Sequence, residues 1–345
     1  MDELKQGITY SGSGVDIAAG ERAVRAIKDK VRSTYNANVL SDLGSFGGLY
    51  RIDKQKWQDP ILVSSTDGVG TKLRVAIMAK RFDTIGQDLV NHCVNDILVQ
   101  GAIPQFFLDY IGVGKLDPDM IEQLIDGLIK ACRENSCALI GGEMAEMPGI
   151  YSDDDFDLAG TIVGIVEHGA LLPRDNIGLG DQLVALPSTG LHTNGYSLAR
   201  KVIFDLCKLN IDSYIAECGA TVADLLLAVH KSYLSELIPH LSNSGLRGLA
   251  HITGGGMGGN LSRILPNGLG AVIKLNNIDV PPLFHWIQEA GKISDCEMRK
   301  AFNMGVGMIC VVSADYCDTF VSFTGGKPIG EIRSIAGLKH RVDFA

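Results

Sequence analysis

At 345 residues the chain exceeds one comfortable hydrophobic core, so two domains are expected. Its 46% hydrophobic content and net charge of -9 describe a soluble globular protein and exclude a Lys/Arg-striped nucleic-acid surface. No apolar run of about 18 residues appears, so no membrane span is expected, and the polar start Met1-Asp2-Glu3-Leu4-Lys5 has no signal core.

In chain order, the glycine-rich Ser11-Gly12-Ser13-Gly14 precedes an expected helix over 19–31 that carries Lys28. A buried strand, Ile61-Leu62-Val63, runs directly into Ser64-Ser65-Thr66-Asp67-Gly68-Val69-Gly70-Thr71-Lys72-Leu73. Apolar residues at 85, 89, 90, 93, 94, 97 and 98 predict a helix over 84–100, with Gly101 as its stop. A strand over 106–110 follows. Asp117-Pro118 then opens a helix whose buried face is Met120, Ile121, Leu124, Ile125, Leu128 and Ile129. The strand over 137–140 delivers Gly141-Gly142-Glu143, and another spans 160–166. The polar connector 173–180 precedes a fresh strand, 182–186, so the domain boundary is placed near 168/169. The loop 187–195 leads into a helix from Tyr196, and Thr253 to Gly256 leads into one over 258–265. Strands and helices alternate throughout, which predicts an α/β (α+β) fold.

Several residues stand out chemically. In the Asp67 loop, two glycines around one valine allow close backbone approach to a ligand. Asp67 offers a hard oxygen for Mg²⁺ and Lys72 a point charge for phosphate, although the spacing is not that of a Walker A loop. An ordinary turn remains the alternative. At 100° per residue, Asp96 falls inside the apolar arc of its helix, while Asp88, Asn91, His92 and Asn95 fall on the other side. A carboxylate so placed must be paired, hydrogen-bonded or metal-bound. Glu143, at a strand end, is either a ligand group or a loop acid. Lys28 is either a solvated lysine or a phosphate contact. His192 and His251 are either structural histidines or ligand contacts, and the loops around them present free N–H groups suited to anions. Asp153-Asp154-Asp155 lacks calcium-loop spacing and reads as a solvated loop. The eight scattered cysteines form no Cys-x-x-Cys pair, which fits a reducing cytoplasm.

Seven segments carry a family likeness in one order: Gly14-Val15-Asp16-Ile17, Asp67 to Leu73, Val94-Asn95-Asp96, Gly141 to Gly149, Gly190 to Ser197, His251 to Gly256, and Phe302 to Met308. Together they resemble the aminoimidazole ribonucleotide synthetase family, also called phosphoribosylformylglycinamidine cyclo-ligase. Ser13-Gly14 departs from the Ala-Gly expected there, which leaves the path of the N-terminal arm open. The resemblance implies ATP-dependent closure of phosphoribosylformylglycinamidine to aminoimidazole ribonucleotide in purine biosynthesis. It implies a homodimer whose first-domain sheets pair across subunits, with residues 1–168 holding Mg²⁺–ATP and 169–345 the ribotide. For Mg²⁺ it implies Asp67, Asp96 and Glu143; for ATP, also Lys28, Gly68, Gly70, Thr71, Lys72 and Gly142. Substrate contacts would be His192, Asn194, His251, Thr253, Gly254, Gly255 and Gly256, and the chemistry would rest on Lys28, Asp67, Asp96 and His192.

Three rivals are weighed. A kinase resembling thiamine monophosphate kinase leaves the His192 and His251 motifs without a role. A selenophosphate synthetase needs an early reactive cysteine, and none precedes Cys93. A silent nucleotide-binding module predicts eroded acids, yet Asp67, Asp96 and Glu143 are all present.

Overall fold

Two mixed sheets, one in each half of the chain, organise the computed structural model, which describes residues 17–345. The Ser11–Gly14 segment and the Gly14-Val15-Asp16 motif lie outside the described residues.

The first half runs α1 (Ile17–Arg32), β1 (Pro60–Gly68), α2 (Lys72–Ala79), α3 (Asp83–Leu98), β2 (Ile103–Val113), α4 (Pro118–Glu134), β3 (Ala138–Glu146) and β4 (Phe156–Glu167). Its sheet has the order β1-β4-β2-β3, antiparallel except for β2/β3. Helices α3 and α4 cover one face, and two glycines let their backbones meet. A Cβ on Gly86 would lie 2.2 Å from the Leu124 carbonyl oxygen, and one on Gly127 would lie 2.2 Å from that of Asp83. Asp117 caps α4 as its sequence suggests, accepting from the Asp119 N–H with Pro118 at the first helical position. The other sheet face carries Leu62, which is 60% exposed, together with Ser64 and Thr66.

The second half runs β5 (Gln182–Pro187), α5 (Tyr196–Arg200) continued by a π-helical stretch Lys201–Leu206, β6 (Tyr214–Ile215), β7 (Ala220–Thr221), α6 (Val222–Leu226), α7 (Leu234–Leu237), β8 (Leu246–His251), α8 (Gly256–Ile264), β9 (Leu269–Ile273), α9 (Pro282–Gly291), α10 (Asp295–Ala301), β10 (Val306–Val312), α11 (Cys317–Thr324), β11 (Lys327–Ser334) and β12 (Val342–Phe344). Six of these strands form a sheet ordered β12-β9-β11-β5-β10-β8. Every residue of β10 is buried, the pattern of a strand covered on both faces. No helix of the described residues is long and apolar enough to cross a membrane.

The two halves meet along α3. The polar arc of α3 is not its solvent face: Asp88, Asn91, His92 and Asn95 are 0, 5, 4 and 0% exposed. Strand β8 and the chain around His230 dock on that arc. Hydrogen bonds offset the desolvation of these polar groups. The His230 N–H donates to Asp88 Oδ1 at 2.7 Å, and Asn91 Nδ2 donates to the His230 carbonyl at 2.8 Å. Asp96, placed by periodicity within the apolar arc, is instead partly accessible at the edge of this seam, its side chain 27% exposed.

Candidate active site at the seam between the halves

Asp67 sits near the end of β1, where the strand gives way to the Gly68–Thr71 loop. Its Oδ1 accepts from the Gly68 N–H at 2.7 Å, and its Oδ2 lies 2.8 Å from His92 Nε2. The same His92 nitrogen is 3.5 Å from Asp96 Oδ2. Asp96 accepts from the Ser65 hydroxyl at 3.2 Å, and its Oδ1 faces His251 Nδ1 at 2.8 Å. One buried imidazole therefore draws the two predicted acids together, with a second histidine behind Asp96. Burial alone would raise both carboxyls, but the His92 bond on Asp67 and the His251 bond on Asp96 hold them below the ordinary carboxylate value. Burial lowers His92, yet Asp67 and Asp96 outweigh it and leave the ring raised.

Around this pair the other candidates divide. Thr71 bridges the halves, its Oγ1 lying 3.2 Å from Ser197 Oγ. Gly70 takes a left-handed φ of 59° and faces the Thr193 carbonyl. Gly254 approaches the Asn194 side chain, whose buried Nδ2 has no partner. Thr253 donates its hydroxyl to Asn260 Oδ1 at 3.3 Å. Gly255 adopts φ 95° just before α8. At Gly256 the missing side chain serves packing, because a Cβ there would lie 1.8 Å from the Arg299 carbonyl oxygen. A groove of about 720 Å³ opens beside Asp96 and His251, with Ser65, Thr253, Asn260 and Arg263 along its walls.

Four expectations are corrected. Lys72 does not face a phosphate. Its side chain turns inward from the start of α2, fully buried, and pairs with Asp88 at 2.7 Å while donating to the Ala228 carbonyl at 2.7 Å. Burial drives this pair toward neutrality, lowering Lys72 and raising Asp88 to about 6. Glu143 does not join the Asp67–Asp96 cluster. The register aligns Asp67, Gly160, Asp109 and Gly142 in one row, three strand spacings or about 14 Å across. Glu143 is one residue beyond that row and so points to the opposite face. Lys28 belongs to a separate neighbourhood: it pairs with Asp42 at 3.1 Å on α1. Helix α1 covers a cavity of about 140 Å³ lined by Val24, Ile27, Asp109, Gly142 and Glu143. His192 is 1% exposed and stacks on His230 with ring centroids 4.0 Å apart. Its Nε2 accepts from the Thr189 N–H and its Nδ1 has no partner, so the ring is packed behind the loop rather than presented from it.

Sequence reasoning missed His230 and the part played by His92. His230 lies between α6 and α7 with no periodic pattern to mark it. His92 was noted only as lying off the apolar arc of α3, on the side that forms the seam.

Comparison with known proteins assigns this architecture. The AIR synthase related protein family matches twice, by its N-terminal domain over residues 46–166 and its C-terminal domain over 178–336. A phosphoribosylformylglycinamidine cyclo-ligase of Citrifermentans bemidjiense is 50% identical over 349 residues, covering 100% of both chains. Another, of Trichlorobacter lovleyi, is 46% identical over 333 residues and 95% of each chain. Among solved structures, thiamine-monophosphate kinase from Stenotrophomonas maltophilia shares the fold at TM-score 0.71 and 18% identity, covering 92% of this chain and 95% of its own. The hydrogenase maturation protein HypE in complex with ATP does so at TM-score 0.67 and 18% identity, over 96% and 93%. With both domains matched and full-length relatives near half identical, the chain belongs to the AIR synthase family, among its phosphoribosylformylglycinamidine cyclo-ligases.

Proposed function

We propose that this chain performs the cyclo-ligase reaction of its relatives at the seam, using ATP to close phosphoribosylformylglycinamidine to 5-aminoimidazole ribonucleotide with release of ADP and phosphate. The observation that carries this reading is the convergence of Asp67 and Asp96 on His92 beside a groove between the halves. A formamide oxygen is a poor leaving group. Moving the γ-phosphoryl onto it makes an imidate phosphate, which the substrate's own amidine nitrogen can attack with loss of phosphate. Because the attack is intramolecular, a groove that holds the substrate bent supplies much of the rate.

Magnesium fits this donor set: two carboxylates held below their ordinary pKa beside the Ser65 hydroxyl are the hard oxygen donors it takes. Asp67 and Asp96 would hold it, and when bound it would offset negative charge on the phosphates. The protein's own share is positioning. His92 fixes both carboxylates, His251 steadies Asp96, and Thr253 with the Gly254–Gly255 backbone lies along the groove where a ribotide would bind. Residues 1–168 are assigned to nucleotide and metal, and 169–345 to the ribotide. Lys28, Gly142 and Glu143 are assigned to the far end of the nucleotide site. A homodimer joined through the open face of the first sheet, working in the cytoplasm, completes the proposal. Exposed Leu62 on that face supports it.

The test is substrate-dependent ADP release. Formylglycinamidine ribotide should elicit one ADP and one phosphate per ring formed. ADP release with thiamine monophosphate and none with the ribotide would overturn the reading.

A further inference from the structure

The groove beside Asp96 runs between two sheet edges, because β1 ends the first sheet and β8 ends the second. Strand β8 leads to the Thr253–Gly256 loop, and α8 returns alongside it. Thr253 and Asn260 therefore stand toward Asp96 and His251. Ile264 reaches back to the start of β8, its Cδ1 3.2 Å from the place of a Cβ on Gly248. Arg263 belongs to that last turn, about 10 Å along α8 from Gly256. Between the two ends the walls are largely apolar, with Ile61, Val63, Val99, Leu171, Leu249 and Ile264.

The polar groups around the Thr253 loop are already engaged. Asn260 Nδ2 donates to the carbonyls of Thr253, Gly254 and Gly256, and its Oδ1 accepts from the Thr253 hydroxyl. The Gly255 N–H donates to the Lys300 carbonyl and the Gly256 N–H to that of Thr253, so neither awaits an oxyanion. Arg263 differs. It is exposed, and it is the one lysine or arginine among the described residues that line the groove. No ion pair or hydrogen bond to a described residue engages its guanidinium.

We infer that Arg263 binds the phosphate of the ribotide, and that a groove with a cation at one end and Asp96 at the other fixes which way the substrate lies. This deepens the proposed function and rests on its placing of the ribotide in this groove. A phosphate monoester carries about −1.5 to −2 charges at pH 7, and apolar walls cannot replace the water it would lose. A guanidinium can, because its planar fork offers two parallel N–H groups to two phosphate oxygens. Asp96 repels the same phosphate. The ribotide therefore lies with its phosphate toward Arg263 and its formyl group toward the Asp67–Asp96 pair. The glycine loop then shapes the wall between them rather than holding the anion.

The test compares formylglycinamidine ribotide with its dephosphorylated riboside on the full chain. Arg263→Ala, at an exposed position, should keep the fold and leave the KM for ATP unchanged. It should raise the Kd and KM for the ribotide by about 10–100-fold, the range for charge-assisted hydrogen bonds. Riboside binding should stay as in the native chain. Arg263→Lys keeps the charge but not the fork, and should fall between the two. An unchanged ribotide Kd in Arg263→Ala, or an equal loss for ribotide and riboside, would overturn the inference. A native chain that binds the ribotide through Arg263 yet forms no imidazole product would overturn the proposed function and leave this site standing. A native chain that binds neither compound would overturn both.

Discussion

At the scale of single residues, the surprise is how the charges are distributed. Asp96 stood out because a carboxylate among Ile85, Leu89 and Leu98 breaks a helical pattern, and it lies at the accessible edge of the seam. Replacing it with Asn should leave secondary structure intact and reduce turnover by roughly two to four orders of magnitude, the range for a lost electrostatic contact. Steady-state kinetics checks this, and near-native turnover would remove Asp96 from the site. Lys72 was misread because a lysine after a glycine loop suggests phosphate, and nothing local reports that Asp88 waits inside the fold. Lys72→Met should leave Asp88 buried without its partner, costing about 3–5 kcal/mol in chemical denaturation. The pair also has a pH signature. Asp88 is raised in the folded state to about 6 from an ordinary value near 3.9. A raised acid binds its proton more tightly when folded, so its stabilising contribution is full below about 4 and is lost as pH rises through about 6. Compared with Asp88→Asn, the native chain should lose stability across that window. Parallel stability profiles would contradict the assignment.

Among elements, α3 shows both the reach and the limit of periodicity. Its apolar spacing placed the helix within about two residues of its ends, the usual uncertainty of helix boundaries. Periodicity separates polar from apolar faces, but it cannot tell a polar face in water from one sealed against a second domain. His92 and Asn95 could therefore be read only as lying off the apolar arc, although they are buried in the middle of the seam. Glu143 failed for a similar reason. Its motif marks a strand end, but only the sheet order β1-β4-β2-β3 reveals that two strands, β4 and β2, separate it from Asp67. The contact of α3 with α4 was not legible, since nothing in the spacing of Gly86 and Gly127 marks them as a meeting point of two helices. Gly127→Ala should place a methyl 2.2 Å from the Asp83 carbonyl, a backbone atom that cannot yield cheaply. Overpacking of about 1–3 kcal/mol should appear as a lower denaturation midpoint. A neutral or stabilising result would show that the helices can separate without cost.

For the whole molecule, the alternation of strands and helices and the break near residues 167–180 made a two-part α/β chain legible. Why the parts meet where they do was not legible, because the seam is built from isolated polar residues of distant segments. Burial beneath α3 leaves the opposite sheet face with Leu62, Ser64 and Thr66 uncovered, and a second copy is the partner assigned to it. Leu62→Lys should shift sedimentation from dimer toward monomer, and an unchanged species would locate the interface elsewhere. The central claim is that the seam uses ATP to turn a formyl oxygen into a leaving group for ring closure. Its most direct test is isotopic: turnover of ribotide labelled with ¹⁸O at the formyl oxygen, followed by mass spectrometry of both products. The label should appear in the released phosphate, one atom per ring formed. Label retained in the organic product would contradict the account.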